Sequence, residues 1–497
     1  MRTRFAPSPT GFVTVGNLLQ PVIDLALARQ HGGQFVLRIE DTDQERFVPE
    51  AEAVILDTLR WLGLEWDEGP DKGGPYGPYR QSARQERYRE VAEALLGAGR
   101  AYHCWCSPAR LEAMREEQRA RKQPPMYDRL CLGKSEAERK RLGGCTERAA
   151  VRLLMPREGH TTIVDAIRGP ITFRNALSDD RVLVRSNGLA TYQLAAVVDD
   201  HDMAISHVIR GEEWISSTPV NLQVYEAMGW EVPTIAHTPL LLNADRSKIS
   251  KSKHPWVHVS WFREQGFLPE AMVNYIGNLV VFVPDPESSD PSVARELFGM
   301  AEVTEHLDLA RIGPAGKLLD LDRLDWLNGQ YIRRLSLPEL RERLRQFMAR
   351  AGLDVDDPQF VRALPLEQER IKRLAEAPSL FAFFFHDPAY EAQQLIPRGA
   401  DAPRALELLR ASLGLVRAMG GEQGAWTAQE LERAFRALAE RLGLASGRER
   451  GQLIGAGVVR VAVTGRTVGP PLFETLEILG RDTVQRRLEV ALTKLSS

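Results

Sequence analysis

The chain has 497 residues, 43% of them hydrophobic and 26% charged, with a formal net charge of −3. That length exceeds a single core and points to roughly three domains, and the charge excludes a globally basic coat, so any RNA contact must be local. No apolar run could span a bilayer, the arginine-bearing N-terminus lacks the apolar stretch of a signal peptide, and four cysteines are too few for a disulfide scaffold, so a cytoplasmic protein with no membrane partner is expected.

The first predicted element is a short strand, Thr3 to Phe5, of residues that favour extended surroundings. Pro7 and Pro9 keep Ala6 and Ser8 extended, because a following proline clashes with a helical residue before it. Thr10-Gly11 permits a turn, and Asn17 is the expected N-cap of a helix reading LLQPVIDLALAR. A strand that passes through a tight loop into a helix start presents backbone N–H groups to an anion; the plainer alternative is a proline-stiffened turn. The run QFVLRI (34–39) is a second strand, ending in Glu40-Asp41-Thr42-Asp43. Carboxylates at the carboxyl end of a parallel strand sit where open α/β sheets bind ligands, though an acidic turn capping the next helix would look the same. Helical spacing covers 50–63 and Arg84 to Gly99, on either side of a Gly/Pro-rich loop over 66–82.

Cys104 and Cys106 are followed at a distance by Cys131. Three thiolates and one more ligand would suit tetrahedral zinc, with Tyr127, His103 and Cys145 as candidates for the fourth place. The competing reading is three small buried hydrophobes. Residues 150–185 read as short strands and turns. Ala190 to Val198 is expected to be a buried strand-like run, closed by Asp199-Asp200-His201 and, further on, Arg210-Gly211-Glu212-Glu213-Trp214, polar groups that invite a pocket. Trp214 could stack on a ligand base or simply fill a core. A helix (217–230) and an apolar strand (237–243) lead to a loop, 245–253, in which Lys248, Lys251 and Lys253 alternate with serines. Such a loop can grip phosphates, and equally can be a solvated basic turn. From about residue 330 onward the text is helical, with recurring arginines such as Arg370, Arg404 and Arg433.

The segments APSPTG, RIEDTD, GPYRQS, VVDDH, IRGEEW and KISKS occur in one order, and together they resemble the glutamyl-tRNA synthetases of bacterial type, class I aminoacyl-tRNA ligases. DWLNGQYIRRL (325–335) and AVTGRTVGPPLFETLEILG (462–480) extend the likeness over nearly the whole chain. The resemblance implies an α/β Rossmann-type catalytic domain in two halves (1–100 and 186–240) around an α+β acceptor-binding insertion (101–185). A stem-contact region with the KISKS loop (241–328) and all-α anticodon-binding domains (329–497) would follow. It implies ATP-dependent ligation of glutamate to tRNA(Glu) through a glutamyl-adenylate, by a monomer, with Mg2+ accompanying ATP and one structural Zn2+. Motif matching assigns Arg4, Ala6, Ser8, Glu40, Tyr192 and Arg210 to glutamate. It assigns Gly16, Trp214, Lys248, Ile249, Ser250, Lys251 and Ser252 to ATP, and Thr14, Gly16, Asn17, Lys248 and Lys251 to catalysis. Cys104, Cys106, Tyr127 and Cys131 match the zinc arrangement of related enzymes, with Gly133 where some members carry a histidine.

Several positions depart from the family pattern. The first nucleotide motif, histidine-isoleucine-glycine-histidine, falls on Thr14-Val15-Gly16-Asn17, so its first imidazole is missing. Pro21 lies early in the following helix, Ala196 stands where close relatives can have asparagine, and Ala190 and Gln193 flank Tyr192 in place of the expected proline and histidine. Two further expectations therefore stand beside the ligase: a tRNA-binding paralogue with weak or shifted aminoacylation, and a glutamyl-queuosine synthetase-like activity. The latter is disfavoured because those enzymes lack an anticodon-binding half.

Overall fold

The computed structural model describes residues 1–496 except 44, 47, 146, 147, 248, 250–253, 420–424, 445, 446, 455 and 456. The chain packs as two units, Met1–Arg263 with Pro269–Leu321, and Glu264–Leu268 with Asp322–Ser497.

The first unit opens with β1 (Arg2–Phe5), α1 (Leu19–Gln30), β2 (Gln34–Leu37), α2 (Ala51–Trp61) and α3 (Gln85–Gly97). β1 and β2 run parallel, in register from Arg2↔Gln34 to Phe5↔Leu37, with α1 as the crossover. Both strands are short and buried along nearly their whole length, as expected of parallel strands covered on both faces. Next come β3 (Ala101–Cys104), α4 (Pro108–Ala120), α5 (Glu136–Gly143), β4 (Ala150–Leu153), β5 (His160–Asp165), β6 (Gly169–Arg174) and β7 (Val182–Val184). These make a three-stranded sheet, β3-β4-β7, and an antiparallel β5–β6 hairpin. The chain then returns through α6 (Tyr192–Asp202), β8 (His207–Gly211), α7 (Thr218–Met228) and β9 (Thr234–Thr238).

β8 and β9 form a second parallel pair, in register from His207↔Thr234 to Gly211↔Thr238. Ser206 stitches the start of β8 to β1: its N–H donates to Arg2 O at 3.0 Å, and Arg2 N–H donates to its hydroxyl at 2.8 Å. On its far side β9 meets β5 at Asp165↔Ile235. One apolar core, including Tyr88, Leu95, Leu153, Leu194, Val198 and Val224, joins α3, α6 and α7 to the three-stranded sheet.

Two expectations are corrected. The apolar run after Ala190 is helical, not a strand: Thr191 is the extended N-cap residue of α6, and every residue from Leu194 to Asp200 is buried. A short apolar run has no period that separates a buried strand from a buried helix. Asn17 is not the N-cap of α1. It ends the first turn of a 3-10 helix, Val15–Leu18, whose N-cap is Thr14, and Leu18 is the N-cap of α1. Pro21 thus falls in the first turn of α1, where a missing N–H has no intrahelical acceptor to leave empty.

In the second unit every assigned element is helical, from the helix Leu321–Arg334 to Arg481–Ser496. Its core packs Phe360 against Phe381 with ring centroids 4.6 Å apart. The buried Arg487 guanidinium donates to the carbonyls of Phe383 (2.8 Å), Val463 (2.6 Å) and His386 (2.9 Å) and pairs with Asp387. It thereby satisfies carbonyls that helix ends leave open.

Candidate active site

The carboxyl ends of β1, β2 and β8 open onto a cavity of about 310 Å³ in the first unit. Its wall includes Arg4, Ala6, Ser8, Thr14, Asn17, Glu40, Tyr192, Arg210 and Trp214. Residues drawn from four distant segments thus converge at the strand ends, where an open α/β sheet places a ligand. Neither Gly16 nor Ile249, which is half-buried, is on the wall. Lys248, Ser250, Lys251 and Ser252 lie outside the described residues. The turn that precedes them is closed by Asn243 N–H donating to Ser247 O at 2.9 Å and by Ser247 N–H donating to Asp245 Oδ1 at 2.8 Å.

Charge in this cavity is arranged unevenly. Arg4 faces it, but its guanidinium already grips Asp200 at 2.9 and 3.4 Å and donates to Ile209 O at 3.1 Å. Behind it Arg38, fully buried, donates to Asp200 Oδ1 at 2.8 Å and to Glu40 Oε1 at 3.0 Å. Burial pushes the Asp200 carboxyl up, but Arg4 and Arg38 together outweigh it and hold it below the ordinary carboxylate range. For Glu40 burial wins, and its carboxyl is raised against the pull of Arg38. Asp199 is fixed below by Arg84 Nε (2.6 Å), Tyr88 Oη (2.8 Å) and Gln81 Nε2 (2.9 Å).

Arg210 is different. Its Nε donates to His237 Nε2 at 3.1 Å, Nη1 to Tyr192 Oη at 3.1 Å and Asn221 Oδ1 at 3.2 Å, and Nη2 to Thr218 Oγ1 at 2.8 Å. Every one of these partners is neutral, and among the described residues no carboxylate pairs with it. The positive charge is left for whatever enters the cavity. Tyr192 accepts from Arg210, so its own hydroxyl proton remains to donate, and its ring lies 4.2 Å from that of Trp214. A molecule with an anionic carboxylate at Arg210 and a cationic group near Glu40 would be complementary to this wall.

At the cavity mouth the Thr14 hydroxyl donates to Asn17 Oδ1 at 2.6 Å, so the side chain that stands in for an imidazole is turned onto its own helix start. The sequence motifs pointed to most of the wall, Glu213 included, but gave no role to Arg38 or His237, which stand behind it and hold Glu40 and Arg210. Arg38 had a usable signal. In extended chain a residue two positions before Glu40 shares its face, and just past the end of β2 Arg38 does reach Glu40. His237 has no comparable local mark.

In the inserted region the sulfur atoms of Cys104, Cys106 and Cys131 all lie within 4.8 Å of one another. Cys106 Sγ is 3.8 Å from Cys131 Sγ, close to the spacing expected when zinc–sulfur bonds of about 2.3 Å meet at tetrahedral angles. Tyr127 Oη sits 3.3 Å from Cys106 Sγ and accepts from Cys131 N–H at 3.2 Å, whereas His103 and Cys145 are outside the cluster. A hydrogen bond from Cys106 lowers the Cys104 thiol more than burial raises it, and Arg152 adds to the effect. Gly143 is obligatory beside this cluster, since a β-carbon there would sit 2.1 Å from Trp105 O. The donor set fits zinc.

The chain as a whole is similar to known proteins. Residues 1–326 match the family described as tRNA synthetases class I (E and Q), catalytic domain, and residues 339–492 match the anticodon binding domain. The glutamate–tRNA ligase of Acidothermus cellulolyticus is 48% identical over 99% of this chain and 95% of its own length. That of Dehalococcoides mccartyi is 42% identical over 100% of the chain and 98% of its own. The crystal structure of a glutamate tRNA ligase from Elizabethkingia meningosepticum, in complex with its amino acid, superposes with a TM-score of 0.85 at 30% identity, covering 100% of this chain and 99% of that one.

Proposed function

This chain belongs to the class I tRNA synthetases of the E and Q type, and from that premise we propose that it ligates glutamate to tRNA(Glu) with ATP, through a glutamyl-adenylate. In the first step a glutamate α-carboxylate oxygen attacks the ATP α-phosphorus and pyrophosphate leaves. In the second a terminal ribose hydroxyl of tRNA attacks the activated carbonyl and AMP leaves. Chemistry of this kind is driven by positioning and by charge placed where the transition state needs it.

The observation that carries the reading is the uncompensated Arg210 in a cavity that also holds Glu40, Tyr192 and Trp214. Arg210 and the Tyr192 hydroxyl would hold the side-chain carboxylate, and Glu40 the α-ammonium. Arg4, balanced by Asp200, shapes the wall more than it supplies net charge. Trp214 and the Thr14–Asn17 turn face the nucleotide end, with Lys248 and Lys251 assigned to its phosphates. Magnesium bound to ATP would neutralise part of the triphosphate charge. The residues 101–185 would meet the tRNA acceptor end, with Cys104, Cys106, Cys131 and Tyr127 holding one zinc, and the helical second unit would meet the anticodon.

ATP–pyrophosphate exchange run with and without tRNA(Glu) tests this. Glutamate-dependent exchange in the presence of tRNA is expected. Tight tRNA binding without any exchange would convert the chain into a binding paralogue, and the missing first imidazole at Thr14 would be the natural cause.

A further inference from the structure

Three adjacent strands carry a line of side chains that ends at Arg210. Asp165 closes β5, His237 lies on β9, and Arg210 lies on β8, directly opposite His237 in the parallel register. Asp165 Oδ2 is 2.6 Å from His237 Nδ1, and His237 Nε2 is 3.1 Å from Arg210 Nε. Both Asp165 and the His237 ring are buried. A guanidinium nitrogen can only donate, so His237 Nε2 must accept. The ring proton is therefore on Nδ1, donated to Asp165. The backbone N–H groups of Ile167 (2.9 Å), Arg168 (2.9 Å) and His237 (3.1 Å) hold the carboxylate in turn.

We propose that Asp165 and His237 are positioning residues that orient the Arg210 guanidinium toward the substrate carboxylate while leaving its charge unneutralised. The proposal rests on the glutamate reading of the pocket. The intervening imidazole is what makes the device work. A carboxylate in direct contact with Arg210 would fix it equally well but would cancel the charge that must recruit substrate, as Asp200 does for Arg4. A neutral imidazole transmits the orientation and keeps the anion one ring away. A second consequence is that the β5–β6 hairpin, part of the inserted region, supplies the anchor of a specificity residue lying on another strand pair.

The test uses the full chain with ATP and tRNA(Glu), and two variants. His237→Asn keeps a donor for Asp165 but is too short to accept from Arg210; His237→Gln can still accept there. The expected result is a glutamate KM raised about tenfold or more in His237→Asn, the change that accompanies loss of one charge-assisted hydrogen bond. The ATP KM should stay near the parent's, and His237→Gln should return most of the glutamate loss. An unchanged glutamate KM in His237→Asn overturns the proposal. So does equal damage in the two variants, or a loss shared equally by glutamate and ATP. Nitrogen-15 spectra of the parent, with the His237 signal assigned by its loss in a folded His237→Gln, decide the matter even if His237→Asn misfolds or glutamate proves the wrong substrate. A protonated Nδ1 with bare Nε2 supports the line of contacts, and a protonated Nε2 overturns it. Failure of the parent to use glutamate, with the Nδ1 tautomer intact, would count against the substrate reading alone.

Discussion

Arg210→Gln is the most informative single change. Of the five N–H groups on this side chain, four are committed to His237, Tyr192, Asn221 and Thr218, which leaves one Nη2 hydrogen, with the full charge behind it, for the ligand. Removing one charge-assisted hydrogen bond to a carboxylate is worth about 1.5–3 kcal/mol, or roughly 10- to 150-fold in affinity. The substitution also deprives neutral acceptors around Arg210 of their donors, so some loss of melting temperature is expected alongside. The assay is glutamate-dependent pyrophosphate exchange with tRNA present. Glutamate KM should rise by that factor while ATP KM stays within about twofold, and Arg210→Lys, which restores charge without the planar fork, should recover only part. A folded Arg210→Gln variant with the parent's glutamate KM would remove Arg210 from substrate recognition.

Three other expectations can be checked in the same preparations. Thr14→His should raise kcat for adenylate formation, toward the 10²–10³-fold (about 3–4 kcal/mol) that one preorganised donor is worth, with tRNA affinity unchanged; Pro21→Ala should add little, because Pro21 sits in the first turn of α1. No gain in either variant would mean that Thr14 is not limiting. Protein purified without chelator should carry about one zinc per chain at the three cysteines and Tyr127, and stoichiometric absence by metal analysis would leave that cluster as plain packing. In the second unit, burial pushes the Glu367 carboxyl up to about 7, with Arg370 and Arg466 only partly opposing it. Arg370 Nε lies 2.8 Å from Glu367 Oε2, yet neither carboxylate oxygen is satisfied by a hydrogen bond, so the contact is an ion pair of poor alignment. The folded state therefore binds this proton more tightly than the unfolded chain, and stability should be fullest below the ordinary carboxylate pKa and fall as pH rises to about 7, by on the order of 3 kcal/mol. Denaturant melts of the parent and Glu367→Gln at pH 5 and pH 8 should converge at the lower pH and separate, with the variant more stable, at the higher; equal stability at both would place the titration elsewhere.

Much of the site could be read from local text because strand-end residues carry local marks. The proline-stiffened loop after Phe5, the acidic end of the second strand and the run from Arg210 to Trp214 each announce a chain that stops being sheet and starts being pocket. What escaped was of two kinds. The run from Ala190 reads as a strand because Leu194 to Val198 are apolar on successive positions, and only the structure shows that α6 is buried enough to tolerate this. The second kind is contact between distant segments. Asp165 and His237 are 72 residues apart and meet only because β5 lies beside β9, and Asp200 reaches Arg4 across 196 residues. Neither pairing leaves a trace in spacing or composition. Among Tyr127, His103 and Cys145, which local spacing left open beside the three cysteines, the structure puts the Tyr127 hydroxyl next to the sulfurs.

The central claim is that the pocket around Arg210 selects glutamate for transfer to tRNA. Its most direct test is charging of tRNA(Glu) by the purified chain with ATP and, in parallel, labelled glutamate, glutamine and aspartate, read as acid-stable aminoacyl ester on the tRNA. The account predicts ester with glutamate, abolished by omitting ATP, and none with glutamine or aspartate at equal concentration. Charging with glutamine in preference, or tRNA that binds but stays uncharged with all three, would contradict it.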